Sequence, residues 1–599
     1  MQERVSLKRH LSENRWRYIG GALLLLATSL IQVAIPRISG DVIDRIDMRS
    51  IDSVGILQMV GVIAALAVSF VGVRFLSRYL LLSGTHLFDR ESRDKMYAYL
   101  STLSMKYFNR RSTGEIMALS TNDLRVVRMA LMRTVMVLVG SLFTIAMSIV
   151  IMVRTVDPLM TAIVFLPFPF LMLVMHRFGP IMRQRFRIVQ ESFSDMMRKA
   201  EENVSGIRVI KAFVQEEPEI GHFERLSNEN MTANFRMIRT NSLFHPLITV
   251  LGSISTLLIL WAGGMMALDG RITIGDFVAS MQYVGNITRP FAMMGMILEV
   301  IQQARASYGR IMELFYEKPE ITDPAGGEKA FLGDAYDPER PAKLRGVIEM
   351  RDLRFTYDEE LPDSLHGITL TIRPGETLGV IGHVGSGKSS LAKLITRLYD
   401  TRERGMLLID GHDIRDIPLS LLRRSIGYVP QQNFLFSDTI ANNINFAPEP
   451  RTREEIEEAA RIACVHEMIE ELPDGYDSEL GERGVNLSGG QKQRISIARA
   501  LVKDPTILVL DDCLSAVDTQ TEERILTRLK PFAARRTTLI IGHRVSTMQH
   551  ADRIAVLDEG RLVELGTHQE LIELGGIYSD IYRKQQLEEK VRQEGGADE

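Results

Sequence analysis

The sequence predicts a two-part chain: an α-helical membrane domain of six transmembrane helices with long cytoplasmic extensions, fused to an α/β nucleotide-binding domain. Three observations carry that prediction. Long uncharged runs crowd the first half of the chain. Short apolar strands alternate with helical stretches in the second, and one of those strands runs into a glycine-rich turn and a helix. At 599 residues the chain is too long for a single core. A net charge of −4 over that length points away from nucleic acid as a partner and from a polyanionic tail. The two cysteines, Cys464 and Cys513, lack metal-ligand spacing and suit a reducing compartment.

The first five spans follow from counting. Residues 18–36, 53–73, 134–153, 158–175 and 240–268 contain no Asp, Glu, Lys or Arg. Each run is long enough, or nearly so, to cross a hydrocarbon core of roughly 30 Å as a helix. The predicted helices cover about 18–36, 53–75, 134–154, 158–176 and 244–268. The first fits a cleavable signal sequence poorly, because no small-residue cleavage site follows "IQVAIPRISGD" and further spans come after it.

A sixth span, about 276–298, is less clean, with Arg289 and Pro290 in its middle. It is counted because an even number returns the chain to the side of the nucleotide-binding half. An arginine at mid-depth is costly and must face protein or water. It either lines a substrate cavity or belongs to a helix offset so that its guanidinium snorkels. Pro290 predicts a kink.

The loops set the orientation. Arg4, Lys8, Arg9, Arg15 and Arg17 precede the first span, and 83–133 and 177–239 are rich in Arg and Lys. The links 37–52, 154–157 and 269–276 are short and lean acidic. Positive residues stay inside, so both termini, both long loops and the nucleotide-binding domain face the cytoplasm of a multi-pass protein of the cytoplasmic membrane. The long loops have helical periodicity, which predicts that the spans continue into the cytosol as helices.

The membrane domain is expected over 1–318, and a Pro-, Gly- and charge-rich stretch predicts a linker over 319–345. The nucleotide-binding domain follows over 346–585, with a charged tail at 586–599. In "TLGVIGHVGSGKSSLAKLI", residues 382–389 match G-x-x-x-x-G-K-[ST] between a strand and a helix. Gly382, Gly385 and Gly387, with His383, Val384 and Ser386 between them, are the residues of a loop whose N–H groups wrap phosphates at a helix N-terminus. Lys388 is placed to reach the β- and γ-phosphates, Ser389 to bind Mg²⁺, and Ser390 continues the loop into the helix. Asp511 ends the apolar run "TILVLD", where a carboxylate holds Mg²⁺ through water.

Between these motifs stands "LSGGQKQRISIARAL", 487–501, which strongly resembles the signature of ATP-binding cassette (ABC) proteins. The resemblance covers residues 10–585 and points to the six-span exporter branch, with ATP and Mg²⁺ as cofactors. It implies a working dimer in which Ser488, Gly489, Gly490 and Gln491 face ATP bound by the other cassette. By the same resemblance Tyr357, expected ahead of the first strand pair, stacks on adenine. Gln431 contacts Mg²⁺ and the membrane domain, and "GERG" at 481–484 is an exporter-specific loop. Asp518 crosses the dimer interface, and His543 is the switch histidine at the γ-phosphate. "YFNRRSTGEIMALSTNDL" and "EENVSGIRVIKAF" look like the branch's two cytoplasmic loops, whose tips dock on cassettes.

One position departs from the pattern. The family places glutamate after the Walker B aspartate, to orient the attacking water; here it is Asp512. The carboxylate is withdrawn by one methylene, roughly 1.5 Å. In heterodimeric exporters of this family, one half often carries Asp here with an intact signature. The resemblance therefore implies an ATPase with its catalytic set at Lys388, Gln431, Asp512 and His543, slow at its own site. The resemblance further implies a second half-transporter subunit as partner, with a heterodimer favoured over a homodimer, membrane lipids around it, and a hydrophobic or amphipathic small molecule as cargo exported across the cytoplasmic membrane. A lipid flippase homodimer and an ATP-gated channel or regulator are the other readings. Methionines at 263–266 and 293–297 suit a promiscuous pocket or simple packing.

Overall fold

The computed structural model describes residues 5–339, 342–358, 360–481, 484 and 486–595. The chain divides into two compact units, Met1–Ser101 with Thr113–Glu317, and Thr102–Ser112 with Lys318–Glu599.

The first unit is all helix. A short α1, Leu7–Glu13, is capped by Ser6 and precedes α2, Arg15–Asp47, and α3, Ser53–Leu100. Asp52 caps α3 by accepting from Gly55 N, which satisfies one of the orphan N–H groups of its first turn. At 48 residues α3 is about 72 Å long, more than twice a hydrocarbon core. The third helical run, Thr113–Thr155, is interrupted by π-helical turns at Leu119–Asp123 and Val135–Val139. Among the described residues, Arg15–Asp47, Ser53–Leu100 and Thr113–Thr155 are long and apolar enough to cross a membrane, with shorter apolar stretches at Pro158–Phe170 and Gly252–Leu268.

The fourth predicted run is two helices rather than one. Pro158–Phe165 ends, and Pro167 caps a new helix, Phe168–Ser205, because proline has no N–H to continue the first ladder but fits a helix start. The fifth belongs to Glu216–Leu258, a π turn and Gly264–Leu268. The sixth lies within Ile274–Tyr316, which starts in a Thr273/Asp276 capping box and continues through Pro290. The side chains of Arg289, Met293, Met294 and Met296 lie outside the described residues.

Several polar groups inside this unit are paired, although the buried Ser148 hydroxyl has no hydrogen-bond partner among the described residues. Tyr283 donates to Val33 O at 3.0 Å, and the Gln32 amide donates to Asn286 Oδ1 at 3.1 Å. Outside the predicted spans, Asp123 accepts from Ser307 at 2.8 Å and from the Arg310 guanidinium. Burial alone pushes the Asp123 carboxyl up, but these hydrogen bonds and the Arg310 charge outweigh it and hold the carboxyl below its ordinary range.

The second unit carries two sheets. One, order β2–β1–β4–β5, is antiparallel: β1 Ile348–Phe355, β2 Leu365–Ile372, β4 Leu407–Ile409 and β5 His412–Asp413. The other has the order β10–β9–β3–β8–β7–β6. Its strands are β3 Thr377–Gly382, β6 Ile426–Val429, β7 Ile507–Asp511, β8 Thr537–Ile541, β9 Arg553–Asp558 and β10 Arg561–Gly566. All are parallel except β10. Every residue of β7 and β8 is buried, which explains why they read as continuous apolar runs rather than alternating ones.

The predicted linker is not all coil, since it holds a helix at Gly327–Leu332 whose Glu328 pairs with Arg424 at 2.9 Å. The predicted charged tail is helical as far as Gly595, continuing the helix Ile577–Gly595.

Candidate nucleotide site

Strands β3, β8 and β7 are neighbours in the parallel sheet. Their carboxyl ends place the loop at 382–389, His543 and Asp511 along one edge, where ligands bind in open α/β sheets. Two glycines explain the loop's shape. Gly382 has φ +156°, and a Cβ there would meet Leu557 O at 1.9 Å, so glycine lets the end of β3 lie against β9. Gly387 has φ +90°, and its Cβ would meet Ser364 O at 2.7 Å just before the helix Lys388–Ile395 begins.

Lys388 is buried and folds over the loop, donating to Gly382 O at 2.8 Å and His383 O at 2.7 Å. A third, longer contact reaches Ser386 Oγ at 3.4 Å. Burial pulls its ammonium pKa down, against the opposing charges of Asp512 and Asp511. Val384, 92% exposed, forms the loop's tip. Gly385, at φ +86°, has open space where a Cβ would lie.

Ser389 Oγ donates to Asp511 Oδ1 at 3.0 Å. Burial raises the Asp511 carboxyl pKa, opposed by the Ser389 hydrogen bond and reinforced by the charge of Asp512. Next to it, Asp512 sits at φ +49°, its N–H donating to Ile541 O at 2.9 Å, so the acid is anchored to β8. Gln431 donates from Nε2 to Asp512 Oδ2 at 3.3 Å. Ser389 and Asp511 therefore set two oxygen donors side by side, with the Gln431 amide next to them on Asp512. Mg²⁺ takes such hard ligands in small number and completes its shell with phosphate and water. The residues present fit that ion, and bound there it would neutralise charge on the β- and γ-phosphates.

Tyr357 follows β1 rather than preceding the strand pair, because β1 ends at Phe355. Its hydroxyl meets Ser390 Oγ at 2.9 Å, and Lys393 lies 5.2 Å from its ring centre. Edge-on contacts with Phe355 at 4.8 Å and Tyr399 at 5.1 Å fix the ring plane. Tyr399 in turn accepts from Asn109 at 2.6 Å, a residue of the short helix Met105–Arg110, and Arg110 pairs with Asp358 at 2.6 Å. Sequence reading did not find this chain of contacts, since Asn109 and Tyr399 are 290 positions apart.

Ser488 caps the helix Gly489–Val502. Its Oγ accepts from Gln491 N at 3.3 Å, and Gln491 Oε1 accepts from Ser488 N at 2.8 Å, a reciprocal capping box. Gly490 packs so tightly that a Cβ would meet Ala516 O at 2.9 Å. The buried Gln493, which sequence reading also missed, accepts from Ala516 N at 3.0 Å and donates to Ser515 Oγ at 3.3 Å. The signature helix thus holds the loop that follows Asp512. Asp518 caps the helix Thr519–Ala533, and hydrogen bonds from Thr521 hold its carboxyl below the usual range. Glu482 and Arg483 of the "GERG" stretch lie outside the described residues.

His543 is exposed just beyond β8. Arg544 beside it pairs with the buried Glu522 and donates to Val517 O at 3.3 Å. Behind these residues lies a cavity of about 100 Å³, bordered by Asp512, Ser515, Glu522 and His543.

A helical membrane domain joined to a cassette with this edge-on nucleotide loop, acid pair and capped signature defines an ATP-driven transporter. Family models agree: residues 18–291 match the ABC transporter transmembrane region and 365–515 the ABC transporter model. The chain belongs to the ABC transporter family. It is 35% identical to the multidrug resistance-like ATP-binding protein MdlA of Escherichia coli, over 96% of this chain and 95% of that protein. It is also 35% identical to an ATP-dependent lipid A-core flippase of Syntrophus aciditrophicus, over 89% and 84% respectively. A solved bacterial Atm1-family ABC exporter with ATP bound superposes with a TM-score of 0.76 at 26% identity, covering 95% of this chain and 98% of that one. The protein is a membrane-spanning ABC transporter with an ATPase domain, and it has the fold of that exporter.

Proposed function

We propose that this chain is one half of a heterodimeric exporter of hydrophobic or amphipathic compounds in the cytoplasmic membrane. Its own ATP site turns over slowly, and its signature completes the fast site of an unlike partner. The observation that carries this reading is Asp512, fixed through its own N–H to β8 and met by Gln431, with a side chain one methylene shorter than the glutamate of the family. A misplacement of about 1 Å can lower a rate on the order of a hundredfold. Six spans, two of them short, bring the cassette to the cytoplasmic side.

In this reading ATP lies across the loop at 382–389 with adenine on Tyr357. Lys388 leaves the loop carbonyls for the β- and γ-phosphates, and Ser389, Asp511 and Gln431 hold Mg²⁺. Asp512 orients water, and His543 holds the γ-phosphate. Ser488 and the N–H groups of Gly489 and Gly490 close over the partner's ATP, with Asp518 at the seam.

A homodimeric lipid flippase is the second reading, favoured by the flippase relative. Reconstitution of the purified chain alone separates them. The heterodimer reading expects slow ATP turnover and no labelled-lipid translocation. Brisk, equal hydrolysis at both sites with lipid movement would replace it with the flippase.

A further inference from the structure

We propose that Gln585, on the C-terminal helix, is a positioning residue for the switch histidine, and that this helix therefore governs hydrolysis at the site in front of it. The inference rests on the reading of His543 as the γ-phosphate contact.

A histidine that must meet a phosphate needs its backbone held, because its own ring has only two torsions to correct an error. Here the holding is done from both sides of the loop. Gln585 Nε2 donates to His543 O at 2.7 Å, and Val545 N donates to Gln585 Oε1 at 2.8 Å. A primary amide presents an N–H donor and a carbonyl acceptor side by side in one plane, which matches the carbonyl of one residue and the N–H two residues on. A single side chain thus occupies both peptide groups flanking Arg544, as a neighbouring strand would.

From the opposite side, the Arg544 side chain pairs with Glu522 and reaches Val517 O at 3.3 Å and Ser515 O at 3.4 Å. Thr547 also donates to Glu522. Residues 543–545 are pinned between the C-terminal helix and the loop after Asp512, and the imidazole of His543 projects from that clamp.

The helix can bear this load because its start is fixed. Glu564 on β10 accepts from Ile577 N at 2.5 Å and Tyr578 N at 3.2 Å, and the buried Tyr578 meets His568 Nδ1 at 2.7 Å. Gln585 lies two turns beyond that anchor. In the proposed reading most contacts to the nucleotide come from Tyr357 and the loop at 382–389, and His543 adds only the γ-phosphate contact. Loss of the Gln585 amide should therefore lower turnover while leaving the KM for ATP in place.

The test uses the full chain in the Asp512→Glu background, where the proposed reading expects its own site, closed by the signature of a second copy, to turn over measurably. Gln585→Leu keeps most of the side-chain volume and removes both hydrogen bonds. The expected result is a kcat lower by about ten- to a hundredfold with KM for ATP unchanged within about twofold. Amide exchange in the peptide covering 543–548 should accelerate, because Val545 N loses its acceptor. Gln585→Glu keeps the acceptor and loses the donor, so its kcat should recover as pH falls and the carboxyl regains a proton. An unchanged kcat in Gln585→Leu, with His543→Ala inactive, would overturn the inference and leave the switch reading intact. Full turnover in His543→Ala would overturn the switch reading, and the inference with it. Equal losses of kcat and of ATP affinity in Gln585→Leu, with no pH recovery in Gln585→Glu, would mark Gln585 as a fold-stabilising residue and overturn the positioning role.

Discussion

Asp512 and Asp511 are adjacent carboxylates with different tasks, and each yields a prediction. Lengthening the first, Asp512→Glu, should raise single-turnover hydrolysis at this site on the order of a hundredfold, the inverse of a 1 Å misplacement. Rapid-quench kinetics checks it, and an unchanged rate removes the case for a slow site. For Asp511 burial raises the pKa above the unfolded value, so ionising it costs more in the native state than in the unfolded one. Its contribution to stability is thus best below the unfolded pKa and is lost as pH rises through the folded one. Asp511→Asn should accordingly raise the Tm of the nucleotide-free protein at neutral pH while abolishing Mg²⁺-dependent hydrolysis, both readable on one sample. These acids were legible in the sequence because a strand ending in Asp, a glycine loop and a signature occur in fixed order. Gln493, Arg544 and Gln585 were not, because each works through backbone groups far along the chain and carries no spacing of its own.

At the scale of elements, legibility followed periodicity. The uncharged runs found the apolar helices, and the run of apolar residues found β7 and β8, but local chemistry moved the boundaries. Pro167 divides one predicted span into two helices, and Gly327–Leu332 is a helix inside a stretch whose composition reads as coil. The capping box at Ser488 has a measurable role apart from phosphate. Ser488→Ala should cost about 1 kcal/mol of cassette stability through the lost cap. Ser488→Asn, also a good cap, should keep that stability, so any loss of turnover in Ser488→Asn reports on ligand contact alone. Thermal unfolding and ATPase assays on the two variants separate the roles. The Asp123–Arg310 pair in the helical unit behaves oppositely to Asp511. Its carboxyl is held below the unfolded value, so its stabilisation is present at neutral pH and lost as pH falls through the folded pKa. Asp123→Asn should lower Tm at pH 7 and matter progressively less as pH falls below the unfolded carboxylate pKa, as calorimetry across that range would show.

For the whole molecule, the proposed asymmetry predicts unequal consequences of equal damage. In the assembled exporter, Gly489→Asp in this chain should suppress most ATP turnover, because a carboxylate would face the phosphates of the partner's fast site. Lys388→Met should leave most turnover in place, because it disables only the slow one. Steady-state ATPase of the co-purified pair checks both, and equal losses would mean equal sites. What the sequence could not reveal at this scale was which residues brace the helices, since those contacts join positions far apart in the chain. The long helix Ser53–Leu100 has a consequence of its own. Unlike the helices carrying Pro36, Pro180, Pro246 and Pro290, it has no proline along its length. Some 40 Å of it extends beyond a hydrocarbon core. Such a rod lacks the proline joint of the other long helices, so a tilt of about 5° at the bilayer swings its far tip by about 3–4 Å. Movement begun at either end must arrive at the other nearly undiminished.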